Sequence, residues 1–358
     1  MPDPDSIAAQ VARNCAVTDA RHASMFSVCQ LALRLRGLYK WEKGLDPWVE
    51  EAPDRLLKWI EETEIAWEGL ENREYGPIRL QGRAFEPFDV TEINRILEPA
   101  GMVYGAGLSQ GLAPTFFLAF LKETRKILGC RIFIAGKELA RDLMSIPAFS
   151  QENCIYVRTE LVKAFLWDLL FFVNRSGKKA LDLALESFQV KKGDALSLKT
   201  RFPDMVESET ETFLFHELGE ILDPALDRIA WRRLLAAFPH TVIELFSRSL
   251  KDLLADTSPF GRLSFIVKEQ RIGSLALFMV SWNGFRKSLF PEMAGAFERF
   301  VDERNWDHIE EAVRVGYENA RDKAVRLMDI FLSGREKKDL SRAEKEIHRV
   351  LIQPLKSG

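Results

Sequence analysis

Along most of this chain apolar residues recur every three or four positions, the period of helices that bury one stripe. The pattern predicts a helix over 18–40, with Thr18 or Asp19 as its cap and Gly44 and Pro47 as its stop. Pro53 opens a second helix over 54–70. Glycine and proline then break 75–111 into short helices and loops. Pro114, harmless in a first helical turn, predicts a helix through Leu128. Residues 131–135 and 154–158 read as strands that can pair with each other, and 159–174, apolar nearly all round, as a central helix. Helices follow at 205–223, 224–238, 240–256, 275–289, 292–302 and 306–332, and alternating charge over 334–352 reads as a solvated helix.

The expected fold is therefore mainly α, a multi-helix assembly with one small β-hairpin or sheet element, arranged as two lobes. The polar, lysine-rich stretch 189–204 is the expected linker. It separates an N-terminal helical domain with the small β element, 1–188, from a C-terminal helical domain, 205–358.

Composition narrows the function classes. The chain has 358 residues, enough for two domains, and 47% of them are hydrophobic. Fifty basic against 53 acidic side chains leave a net charge of −3, which argues against a bulk nucleic acid as partner. Twenty-five Phe and eight Trp against five Tyr favour thick apolar packing or an apolar pocket, open to a small molecule or a protein partner. Cys15, Cys29, Cys130 and Cys154 show no C-x-x-C spacing and read as thiols of a reducing compartment. No apolar leader opens the sequence, and the longest apolar runs are too short to span a bilayer. A cytoplasmic location without membrane contact is expected.

The strongest chemical signal is Phe215-His216-Glu217-Leu218-Gly219-Glu220. On a helix, His216 and Glu220 stand one turn apart on one face, with Asp223 a turn further. An imidazole and carboxylates so spaced can reach one ion, as the histidines of H-E-x-x-H do, although Glu replaces the second His here. The apolar stripe Leu214, Leu218, Ile221, Leu222 and Ala225 lies opposite, so a solvated polar face is the plainer reading. Two residues argue otherwise. Phe213 falls within about 60° of His216 on the wheel. Gly219 weakens a helix by about 1 kcal/mol relative to Ala, a loss that close backbone packing would offset.

Asp19 and His22 form a second candidate, resembling the E-x-x-H element of carboxylate bundles but with Asp for Glu and no second copy. A buried His satisfied by Asp19 is the alternative. His240 and Glu244 repeat the i,i+4 pairing. The expected ligands are His216, Glu220 and Asp223, with Asp19 and His22 as completion, for iron, manganese or zinc. Glu217 or Glu42 would be the general base. Separately, Gly105, Gly107 and Gly111 precede the expected Pro114 helix and imitate a phosphate-binding loop, though in the pattern G-x-G-x-x-x-G. The basic and aromatic run 33–41 reads as Arg34, Arg36 and Lys40 snorkelling from a core.

Asp19-Ala-Arg-His22, Leu38-Tyr-Lys-Trp-Glu42, Tyr104-Gly-Ala-Gly107 and His216-Glu-Leu-Gly-Glu220 resemble an uncharacterised bacterial family, a domain of unknown function. The resemblance runs from about residue 10 to past 220 and implies no activity. The reading is thus a cytosolic bacterial protein with a His/carboxylate metal site, hydrolytic with zinc or redox with iron or manganese. Its rivals are a non-enzymatic helical protein that binds a partner or an apolar small molecule, and a nucleotide or phosphate binder.

Overall fold

The structure, a computed structural model, describes residues 3–109, 112–173 and 177–356. The chain divides into two compact units, Met1–Asp168 and Leu169–Gly358.

In the first unit the expected helix over 18–40 is two helices. Asp3 caps α1 (Pro4–His22), and Ser27 opens α2 (Val28–Glu42) with a capping box closed by Gln30. The Ser27/Gln30 signal lies inside an unbroken apolar pattern, so periodicity alone runs across the break. α3 (Pro53–Trp67) follows, and Trp59 packs on Tyr39 of α2. A hairpin of β1 (Ile78–Leu80) and β2 (Arg83–Phe85) turns at Gln81 and Gly82, both at positive φ.

After α4 (Val90–Leu97) comes a sheet that the small β element foreseen from sequence understates. It contains β3 (Met102–Leu108), β4 (Pro114–Ile127), β5 (Cys130–Arg141), β6 (Ala148–Gln151) and β7 (Cys154–Arg158), in the order β3-β4-β5-β7-β6. β5 and β7 do pair, in parallel, from Arg131↔Cys154 to Ala135↔Arg158; the other neighbours are antiparallel.

β4 overturns the expected helix over 114–128. Thr115 to Ala119 are all buried, so both faces of the strand are covered and period-two alternation vanishes. A continuous apolar run of that kind cannot be told from a buried helix by pattern. Pro114 stands as the first residue of the strand, where its missing N–H disrupts nothing. α1 packs across β4 and β5, and its Val11 and Cys15 join Phe116, Phe117, Tyr104 and Tyr156 in one core.

α5 (Thr159–Phe171) is the expected apolar helix as far as the described residues go, but it is not central: Leu161, Val162 and Leu166 are buried, whereas Phe165 and Phe171 are exposed, and the unit boundary falls inside it. The second unit is helical among its described residues. It holds α6 (Lys178–Ser187), α7 (Ala195–Leu222), α8 (Arg228–Ala237), α9 (Val242–Thr257), α10 (Arg262–Lys268), α11 (Ile272–Val280), α12 (Gly284–Leu289), α13 (Glu292–Glu303), α14 (Asp307–Glu336) and α15 (Leu340–Ile347). Much of the expected linker 189–204 belongs to α7. Asp194 caps that helix, and Pro203 sits within it. Its first turns are polar because they face water, with Leu196 exposed. The helix expected over 275–289 breaks at Ser281–Asn283 into α11 and α12.

The hairpin between β4 and β5 turns on Leu128 (φ 49°) and Gly129 (φ 85°). Leu128 is exposed and held in a left-handed conformation that disfavours a branched side chain. Leu128→Asn, the residue that such turns select, should stabilise the chain by about 1 kcal/mol. Equilibrium denaturation measures this, and an unchanged or lower midpoint contradicts it.

Candidate functional site

In the second unit α7 and α9 approach so closely at Gly219 that a Cβ there would lie 2.2 Å from the Ala255 carbonyl oxygen. Gly261, at the entry to α10, meets the same carbonyl, with a Cβ distance of 2.0 Å. The Gly219 seen in the sequence is thus a contact point for backbone, and the helical face beside it is covered rather than solvated.

That crossing sets His216 and Glu220 of α7 against Lys251, Asp252 and Asp256 of α9. The His216 imidazole donates through Nδ1 to Asp256 Oδ1 at 2.7 Å, and Asp256 is 1% exposed. The opposite nitrogen, Nε2, lies 3.8 Å from Glu220 Oε1. Lys251 Nζ donates to both Glu220 oxygens at 2.7 Å. Asp252 accepts from Arg286 of α12 at 3.1 Å. One ligand atom each of His216, Glu220 and Asp252 can be chosen so that all three lie within 4.8 Å of one another.

The charges are mutually dependent. Burial opposes the imidazolium form of His216, but Asp256, by charge and hydrogen bond, and then Glu217 and Glu220 push its pKa up to about 9. Burial likewise opposes the ammonium of Lys251, yet Glu220 holds it above its ordinary value. Burial acts against both carboxylates too; Lys251 keeps Glu220 low, and His216 keeps Asp256 low.

The other expected residues lie elsewhere. Asp223 caps the end of α7, is buried, and accepts from the Ala225 N–H at 2.8 Å; Asp252 takes the third place beside His216 and Glu220. Asp19 and His22 belong to the first unit. Asp19 is buried, accepts the Leu143 N–H at 2.9 Å, and is held well above the usual carboxylate range by burial and then by the charge of Asp142. No hydrogen bond joins it to His22 among the described residues. His22, half-buried in the last turn of α1, is held below its ordinary pKa by burial and by Arg21.

Glu42, also in the first unit, is exposed and accepts from Trp59 Nε1 at 3.1 Å and Lys43 Nζ at 2.9 Å. Glu244 reaches back to the His240 backbone N–H at 2.7 Å as a helix cap, and the His240 side chain is exposed. Gly105 and Gly107 lie inside β3. A Cβ on Gly105 would sit 2.0 Å from the Phe117 ring, so that glycine makes room for an aromatic. The segment that follows is the strand β4, which presents no helix N-terminus to a phosphate. Gly111 lies outside the described residues.

Sequence reasoning missed Lys251, Asp252 and Asp256. The available signal was Asp256 standing directly after Leu253-Leu254-Ala255, an acid in an apolar stretch one turn beyond Asp252.

The His216 pairing contributes stability that is complete below pH 6.5, the ordinary imidazole value, and is lost as pH rises through about 9. NMR titration of chelator-treated protein should place the His216 midpoint near 9, and Asp256→Asn should lower it. A midpoint at or below the ordinary value contradicts the pairing.

No curated protein and no solved structure matches the chain. Two family domains do: the N-terminal domain of the family of unknown function DUF6866 over residues 6–158, and its C-terminal domain over 163–350. Together they cover nearly all of the sequence, and the chain belongs to this family.

Proposed function

We propose that the α7–α9 crossing binds a divalent transition-metal ion through His216 Nε2, Glu220 and Asp252. The observation that carries this reading is the Asp256–His216 hydrogen bond. It occupies Nδ1, fixes the ring and directs Nε2 toward Glu220, as carboxylates behind metal-bound histidines do. One nitrogen and two carboxylates suit zinc, iron or manganese. Three protein ligands would leave a position for water, hydrolytic chemistry with zinc and redox chemistry with iron or manganese. Glu217, buried and next in sequence to His216, would serve as the acid–base group.

Binding asks two changes of the cluster. Ligand bonds of about 2.0–2.2 Å require the three atoms to draw together. The ion must also displace a proton from His216 and the Lys251 ammonium from Glu220.

A second reading rests on Lys251 itself. Its ammonium, bonded to both Glu220 oxygens, already supplies the positive charge that an ion would bring. In that reading the cluster is a buried ion network that joins α7 to α9, and the protein acts by binding rather than by catalysis.

Elemental mass spectrometry on untagged protein purified without chelator separates the two. The metal reading predicts about one iron, manganese or zinc per chain, lost in His216→Ala and Glu220→Gln and retained in Lys251→Met. The network reading predicts no metal in any of them and a loss of about 3 kcal/mol or more in His216→Ala, which strands Asp256.

A further inference from the structure

The basic and aromatic run 33–41 lies on α2, outside the α7–α9 site. Leu33, Arg36, Gly37, Lys40 and Trp41 of α2 follow the i, i+3, i+4, i+7, i+8 spacing of a single helical stripe. Glu160, Lys163, Ala164, Trp167 and Asp168 repeat that spacing on α5. Such stripes ordinarily bury apolar side chains against each other. Here the two stripes, with Arg141 of β5 and the Leu45–Pro47 turn, line a cleft of about 100 Å³. A Cβ added to Gly37 would meet nothing within 4 Å, so the missing side chain leaves the space open.

Four cations and two carboxylates line this cleft, and most of the charge is paired. Arg36 meets Asp168 at 3.4 Å, and Lys163 meets Asp46 at 2.5 Å. Arg141 donates to Glu138 at 3.4 Å and to the Gly37 carbonyl at 2.7 Å, with its guanidinium over the Trp41 ring. Glu160 accepts the Glu138 N–H at 2.9 Å.

Two groups stand apart. Lys40 is only 8% exposed, and its ammonium has one partner, the Pro47 carbonyl at 2.7 Å. Among the described residues no carboxylate comes within 4.0 Å of it. The Arg141 side chain is 5% exposed, and its Nε has no hydrogen-bond partner. Glu50 and Asp168 act on the Lys40 ammonium only from beyond contact distance. A buried cation with no carboxylate in contact is costly to keep, a cost that an anion supplied from outside relieves. Beside it stand flat apolar walls: Trp41, Trp167, Leu33, Leu45 and Ala164.

We propose that this cleft binds a small organic anion. Its carboxylate or phosphate would lie on Lys40 and Arg141, and its flat apolar body between Trp41 and Trp167. The small volume excludes large ligands such as dinucleotides, because drug-sized and cofactor sites occupy roughly 300–1,000 Å³. The two headgroups share one chemistry, and the test distinguishes them.

Calorimetric titration of the full chain with phenylphosphate, phenylacetate, inorganic phosphate and neutral benzyl alcohol tests the proposal. At least one of the two phenyl anions should bind saturably, and the tighter names the headgroup. Benzyl alcohol and inorganic phosphate should each bind at least about tenfold more weakly than that anion. Lys40→Met, which keeps the apolar stem, should weaken the anion about tenfold or more. Gly37→Leu, which fills the cleft without altering charge, should abolish binding while the thermal midpoint is maintained. The proposal is overturned by no saturable binding of either phenyl anion up to about 10 mM. It is equally overturned if both variants bind like the parent chain, or if benzyl alcohol binds as tightly as the anions.

Discussion

The second unit depends on one contact, the backbone of α7 lying on the backbone of α9 at Gly219 and Ala255. Nothing larger than hydrogen fits between them. Without that approach, His216 and Glu220 would face water, and their partners on α9 would be out of hydrogen-bond reach. With it, a histidine, a lysine and several carboxylates share a partly buried space, from Asp256 at 2% side-chain exposure to Asp252 at 34%. Coulomb interactions strengthen there, so each group sets the protonation of the next. The glycine is unfavourable within its own helix and favourable only through the pair of helices it joins.

The first unit meets the problem of buried charge differently. Asp142 is 1% exposed and accepts from the Phe116 N–H at 2.6 Å, the Met144 N–H at 2.9 Å and Thr115 Oγ1 at 3.2 Å. Asp19 beside it is held well above the usual carboxylate range, first by burial and then by the charge of Asp142. Arg158, fully buried, is bound to Glu138 at 2.5 Å and lies over the Phe117 ring. These groups tie α1, β4, β5 and β7 together across the core. Lys40 differs in having a backbone carbonyl, that of Pro47, rather than a carboxylate in contact with its ammonium.

Most helices were legible because their apolar stripes are one-sided, and the paired strands 131–135 and 154–158 because each is short and rich in branched residues. β4 was not legible, since burial on both faces erases the alternation that marks a strand. The break between α1 and α2 was hidden because both helices carry apolar residues across the Ser27 cap. Within the candidate site, the spacing of His216 and Glu220 and the isolation of Gly219 were visible locally. Asp256 was not singled out, because its meaning depends on which helix crosses at Gly219, and helix pairing leaves no periodic trace in one sequence. Asp223, in contrast, had the right spacing but lies at the C-cap, where the chain leaves the helix and its side chain turns to the following turn.

Anomalous X-ray diffraction from crystals grown with manganese tests the central claim most directly. The account predicts a single peak in the second unit, bounded by His216 Nε2, Glu220 and Asp252, with Lys251 moved off Glu220 and Asp256 still bonded to Nδ1. A structure without that peak, with Lys251 still bonded to both Glu220 oxygens, would contradict it.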